Sequence, residues 1–334
     1  MVIDLAFIWA LLIAFAVLAY VVLDGFDLGI GILFPLFERG PDRDIAMTSV
    51  VPVWDGNETW LVLGGGGLLA AFPLAYAIIL PALYVPVIAM LLGLVLRGVA
   101  FEFRWKTVRG QFLWDLAFTG GSLLAAAAQG LMLGALVQGI KVAGRAYAGG
   151  WFDWLTPFSL LTLVALVIGY ALLGATWLIL KTDGPVQARA YQLAWPLAFA
   201  MLIVIGLVSV WTPFLSPRFF TYWFSWPTIA YASPIPVLTL LAAARLLLGL
   251  RARRQAEPFL ATLALFLLCY VGLGISLYPT VVPPGITIWQ AAAPDKSLSF
   301  LLTGAMVLVP IILAYTGYSY WVFRGKVDAN DRYH

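Results

Sequence analysis

Apolar stretches of about twenty residues recur along the whole chain between short polar connections, and no other feature limits the fold so strongly. A helix needs ~20 mostly apolar residues to cross ~30 Å of hydrocarbon. On that rule nine spans are expected, at roughly 7–36, 53–72, 77–100, 112–137, 157–180, 192–214, 226–250, 258–279 and 298–323. Only 10% of the 334 residues are charged, against about 25% in soluble domains, and the mean hydropathy is +0.97. The chain therefore reads as all-α, a polytopic membrane protein forming one domain over 1–334, with no room for a soluble domain of ordinary size. Its first apolar run follows "MVIDLAF", lacks a basic n-region and is too long for a signal peptide.

Lysine and arginine fall unevenly about these spans. The connections after spans one, three, five, seven and nine, with the adjoining span ends, hold Arg39, Arg43, Arg97, Arg104, Lys106, Arg109, Lys181, Arg189, Arg245, Arg251, Arg253, Arg254, Arg324, Lys326 and Arg332. The other side holds Lys141, Arg145, Arg218 and Lys296, so the count is 15 against 4. The positive-inside rule then puts the N-terminus outside and the C-terminus in the cytoplasm. The same asymmetry explains the pI of about 8.9, and nucleic-acid binding is excluded. Segments such as "LSPRFFTYWFSW" (215–226) read as an interfacial aromatic belt. A weak internal repeat relates spans 1–4 to spans 5–8, leaving a ninth helix. "AYVVLDGFDL" (19–28) overlays "GYALLGATWL" (169–178), so that Asp24 and Asp27 fall on Gly174 and Trp177.

Ionisable groups inside spans cost ~2.5–3.5 kcal/mol on insertion scales and need a reason. Span one carries Asp24 and Asp27, three residues apart on one helix face and toward the cytoplasmic end. Span two opens with "VPVWDGNETWL" (51–61), which places Asp55 and Glu58 in its first turns. Span three brings Arg97 to the same layer, with Glu102 beyond it. Two readings stay open. In the structural one, Asp55 is an N-cap, Glu58 faces the helix dipole, and Arg97 clamps spans one to three. In the functional one, the acids form a proton route, because membrane relays are built from buried carboxylates. Asp27 suits a relay best, since it is mid-helix where no cap is needed.

Other features exclude chemistry. The one histidine is His334, outside any span, so haem ligation by a His pair or a His/Met pair within the membrane is ruled out. No cysteine cluster can hold zinc or iron–sulfur, and Cys269 stands alone in an apolar run. "LGGGGLL" (63–69) in span two suits close approach of another helix, or of a flat group such as a quinone or a lipid. Gln129 in span four and Gln138 at its outer end are expected to donate to a neighbour.

"VVLDGFDLGIGIL" (21–33), "PVWDGNETWL" (52–61), "LRGVAFEFR" (96–104) and "LVPIILAYTGYSYWVFRGKV" (308–327) resemble subunit II of the cytochrome bd-type quinol oxidases over the whole chain. "GNETW" stands where some members have "GNQVW", a difference that would fit a subgroup such as the cyanide-insensitive branch. The resemblance implies a bacterial inner-membrane subunit, pseudo-symmetric to and obligately paired with a haem-carrying subunit I, and a small single-helix accessory subunit could join them. Two b-type haems, and a d-type haem or its b-type substitute, would sit in that partner, with none bound by this chain alone. A structural quinone or lipid is compatible with it. The complex would oxidise quinol and reduce dioxygen to water, with this chain supporting assembly, oxygen access and cytoplasmic proton delivery. Carried over by motif, Asp24, Asp27, Asp55, Glu58 and Arg97 form the polar cluster, with Trp54, Asn57 and Trp60 beside it. The alternatives are a proton-coupled transporter or an assembly scaffold. A transporter would be expected to show paired broken helices around a midplane site.

Overall fold

The computed structural model describes residues 4–107 and 109–327, so His334 and Arg332 lie outside the described residues. Its helices are α1 (Leu5–Leu33), α2 (Pro41–Thr48), α3 (Trp54–Ala71), α4 (Pro73–Ala82), α5 (Tyr84–Phe103), α6 (Gln111–Gln138), α7 (Pro157–Lys181), α8 (Gly184–Leu215), α9 (Pro217–Phe224), α10 (Thr228–Ala232), α11 (Pro234–Arg251), α12 (Glu257–Leu277), α13 (Ile288–Ala291) and α14 (Asp295–Val322). Two small antiparallel hairpins, β1 (Val142–Ala143) with β2 (Ala146–Tyr147) and β3 (Thr280–Val282) with β4 (Ile286–Thr287), lie in the connections after α6 and α12.

Helix starts follow local chemistry. Asp4 caps α1 by accepting from the Phe7 N–H at 2.9 Å. Thr156 and Ser159 form a reciprocal capping box at α7, where Pro157 needs no hydrogen-bond acceptor.

Among the described residues, eight helical segments are long and apolar enough to cross a membrane. The span expected at 53–72 is α3, whose 18 residues include Asp55, Asn57 and Glu58, and these lower its mean hydropathy below the others. It nonetheless runs antiparallel to α1 for most of their length. Asn57 meets Leu23 and Asp27, Gly64 meets Val17, and Gly67 meets Ile13. The span expected at 77–100 is broken at Leu83 into α4 and α5. Pro81 and Pro86 flank the break, and each lacks an N–H and crowds the turn before it.

The two ends of the bundle are fixed by bonds far apart in sequence. At one end the Trp9 indole donates to the Leu298 carbonyl at 3.0 Å, and Ala293 N–H donates to Ala71. At the other, the Tyr320 hydroxyl reaches Asn57 at 3.0 Å, and Val327 N–H donates to the Lys181 carbonyl. α1 and α14 are thus parallel, beginning together and ending together. The described chain starts and finishes at opposite ends, as an odd number of crossings requires.

The core is built on close helix crossings. At Gly29 a Cβ would fall into the Tyr170 carbonyl, and at Gly174 it would meet the backbone of Gly29. α1 and α7 therefore touch backbone to backbone, and Gly93 and Gly121 do the same for α5 and α6. The "LGGGGLL" glycines make no such crossing: Gly64 and Gly67 meet only the side-chain tips of Val17 and Ile13, and Gly65 and Gly66 face open space. Phe220, Phe224 and Trp226, in and after the short α9, are exposed as an aromatic belt would be.

Candidate functional site

α1, α3 and α5 bring their charges together at the arginine-rich end. α1 packs against α7 at Gly29, while its side carrying Asp24 and Asp27 is covered by α3 and α5, and both aspartates are fully buried. α5 lays Arg97 against them, also fully buried, with its Nη2 2.6 Å from Asp24 Oδ1. The same Nη2 is ion-paired with Glu58 of α3, whose side chain remains 27% exposed. One guanidinium therefore ties three helices together.

Asp27 is held differently. Asn57 Nδ2 donates to Asp27 Oδ2 at 2.8 Å and to the Leu23 carbonyl at 3.1 Å. A carbonyl can only accept, so this bond fixes which end of the amide is nitrogen. The Asn57 oxygen then accepts from Tyr320. Asp27 has no cation partner among the described residues.

A second chain of bonds lies beside Asp24 and joins α1, α6 and α7. Tyr170 donates to Gln129 Oε1 at 2.7 Å, and Gln129 Nε2 donates to the Tyr20 oxygen at 2.9 Å. The Tyr20 hydroxyl hydrogen is left free, one turn of α1 away from Asp24. Tyr20 and Tyr170 are the residues that the overlay of 19–28 on 169–178 matches, and they hold opposite ends of one glutamine.

The cluster is short of both charge and bonds. Three carboxylates face one guanidinium, and Asp24 Oδ2, Asp27 Oδ1, Arg97 Nε and Arg97 Nη1 have no hydrogen-bond partner among the described residues. Buried polar groups in native proteins are almost always satisfied, and an unpaired buried carboxylate costs several kcal/mol. Charge balance therefore calls for protons on the surplus acids or for positive charge from a neighbouring chain.

The remaining expected residues are placed as follows. Asp55 is exposed on the second residue of α3 and makes no capping bond; Val53 occupies the cap position, so the N-cap reading is corrected. Glu58 faces Arg97 rather than the helix end alone. Glu102 is exposed and pairs with Lys106 at 3.7 Å, away from the cluster. Trp54 stacks on Phe101 at 4.8 Å, and Trp60 is buried edge-on to Phe15. Tyr20, Tyr170 and Tyr320 were not marked by sequence reasoning, since a tyrosine within an apolar run carries no polar signal of its own. Gln138 donates to Thr156 and to the Gly134 carbonyl, as an outer-end tie between α6 and α7.

Among the described residues no three His, Cys, Asp or Glu side chains gather as ligands, and Met47, Met90 and Met201 are packed within the apolar core.

The arrangement defines a helical integral-membrane protein that carries a buried acid cluster where three of its helices meet. Residues 5–323 match the family described as cytochrome bd terminal oxidase subunit II, and the chain belongs to that family. It is 31% identical to the cytochrome bd-I ubiquinol oxidase subunit 2 of Escherichia coli K12, over 98% of this chain and 96% of that one. It is 28% identical to the cytochrome bd ubiquinol oxidase subunit 2 of Bacillus subtilis, over 96% of each. Its fold is shared with a chain of the bd oxidase of Geobacillus thermodenitrificans, with a TM-score of 0.78, 18% identity, and coverage of 96% of this chain and 99% of that one. Members of the family work in complex with subunit I of a haem-containing oxidase of the bacterial inner membrane. Membership sets aside the transporter and scaffold alternatives.

Proposed function

We propose that this chain is the haem-free half of a quinol:dioxygen oxidoreductase and that its acid cluster carries cytoplasmic protons toward the site of oxygen reduction in subunit I. Overall, two quinols reduce one dioxygen to two waters; four protons leave the quinols on the outer side and four are taken from the cytoplasm. The haems of subunit I, two b-type with a d-type or its b-type substitute, supply electron transfer and dioxygen binding. Everything this chain adds is binding, orientation and proton holding.

The observation that carries the reading is the imbalance of three carboxylates, two of them fully buried, against Arg97, with Asp27 lacking a cation among the described residues. Asp55, exposed on the first turn of α3, collects protons from water. Glu58, one turn further and still partly exposed, passes them inward. Arg97 keeps Asp24 and Glu58 in place, and Asp27 is the acid that loads and unloads. A small single-helix subunit and lipid complete the surroundings. The open Gly65–Gly66 face of α3 suits a flat quinone ring or an acyl chain.

The test uses the purified two-subunit complex carrying Asp27→Asn. Quinol-driven oxygen consumption and proton uptake are expected to fall at least tenfold with the haem spectrum unchanged. Loss of the haem spectrum would instead favour Asp27 as a helix clamp. Normal turnover with normal haem would remove it from the route.

A further inference from the structure

The cluster has one contact that neither a clamp nor a carboxylate route explains, and it comes from the last helix. α14 buries little of itself; among its residues only Leu298 is fully buried. It is fastened at its ends, by Trp9 on one side and by the lysines at the other: Lys181 donates to the carbonyls of Phe323 and Gly325, and Lys326 donates to Thr182 and Asp183. Between these fastenings the Tyr320 hydroxyl donates to Asn57 Oδ1. Three of the four hydrogen-bonding positions of the Asn57 amide are then used: both N–H bonds go to Leu23 and Asp27, and the oxygen accepts from Tyr320. Beside this pair lies a cavity of about 10 Å³, lined by Val53, Asn57, Tyr315, Thr316, Ser319 and Tyr320, which is room for about one water. Its lining mixes hydroxyl and amide groups with apolar ones, and Asn57 is its wall toward Asp27.

We infer that Tyr320 is the positioning residue for Asp27, and that the cavity between α3 and α14 gives this acid a second contact with cytoplasmic water, beside the entry through Asp55 and Glu58. Tyr320 locks the Asn57 amide, the amide holds Asp27 Oδ2, and Oδ1 is left as the oxygen that gains and loses the proton. The inference rests on the proton-route reading above, and its test separates the two.

Tyr320→Phe keeps the ring that packs edge-on to Phe26 and Trp177 and removes only the hydroxyl. In the purified complex it is expected to slow proton uptake and oxygen consumption threefold to tenfold with the haem spectrum intact. In an Asp27→Asn background the same change is expected to have no further effect, because Tyr320 acts through Asp27. A Tyr320→Phe loss that adds in full to that of Asp27→Asn would mark a packing role and overturn the inference. So would normal uptake in Tyr320→Phe beside slow uptake in Asp27→Asn, which leaves the route itself standing. Normal uptake in both would defeat the route and the inference together. Should Tyr320→Phe fail to assemble, Ser319→Cys in a Cys269→Ser chain provides the measurement. Its thiol is expected to react with a small water-soluble methanethiosulfonate added on the cytoplasmic side, counted on this chain by mass spectrometry; an unreactive thiol would overturn the inference.

Discussion

Two charged clusters sit near the same end of the bundle and are built on opposite terms. In the first, Arg43 and Arg104 meet Asp44 and Asp115. Arg104 bonds Asp115 and Asp44, each at 2.7 Å, and Arg43 bonds Asp115 at 2.7 Å and the carbonyls of Phe37 and Pro35. Both guanidinium groups also lie over the Phe34 ring, at 5.4 and 5.3 Å. Two positive charges match two negative ones, and none of these four side chains has a buried atom without a partner. In the second, Arg97 faces three acids, and four buried atoms have no partner among the described residues. A network that is balanced and fully bonded fixes a structure. One that is neither is retained at a cost to stability, and such departures are expected at functional sites.

That contrast can be broken at several points. The largest effect is expected from Arg97→Leu, which strands Asp24 and Glu58 beside Asp27 without a counter-charge. Breaking a buried pair costs ~3–5 kcal/mol, and little assembled, haem-containing complex should be recovered. Next, Arg104→Leu should cost about 2–3 kcal/mol, less because Asp44 is partly exposed. It should shorten the half-life of the complex in detergent while turnover per haem stays within about twofold. A tenfold drop in that turnover would erase the distinction between the clusters. Gln129→Leu, which leaves two buried tyrosine hydroxyls without their partner, should cost about 2 kcal/mol, read as a lower unfolding temperature.

The smallest effect belongs to a surface pair at the far end. Lys141, 3.1 Å away, and the Gly150 N–H hold the Asp153 carboxyl below the usual carboxylate range. A depressed carboxylate stabilises above its unfolded value, about pH 4, and the effect fades as pH falls through the lower folded value. Asp153→Asn should therefore cost only a few tenths of a kcal/mol, unchanged between pH 5 and pH 8 and vanishing in acid. A larger loss at neutral pH would show that the hairpin loop matters more than its exposure implies.

The sequence made the bundle legible because hydrocarbon enforces length and apolarity on every crossing. It was least clear at α3, whose hydropathy is lowered by the very residues that form the site. Asp24, Glu58 and Arg97 stood out because charge inside a span is costly. Asp55 did not belong with them: it lies one turn, ~4.5 Å, earlier on the helix, at the exposed rim. The ties that shape the cluster were not readable. Tyr320 and Asn57 are 263 residues apart, and Asp115 is an unremarkable acid in the first turns of α6 until Arg43 and Arg104 are seen around it. Sequence gave Gln129 a neighbour without naming it; the fold supplies two, related by the same overlay that aligns span one with span five.

α14 is parallel to α1 and lays Tyr320 over Asn57, yet it is the last helix among the described residues. During synthesis, when domains form from the N-terminal side first, α1, α3 and α5 reach the bilayer long before it. Until α14 arrives, the wall over Asp27 has no Tyr320 and the Lys181 ammonium has neither of its carbonyls. The acid site is therefore finished only once α14 has been made, and a nascent chain released before it would have its clamp without its cover.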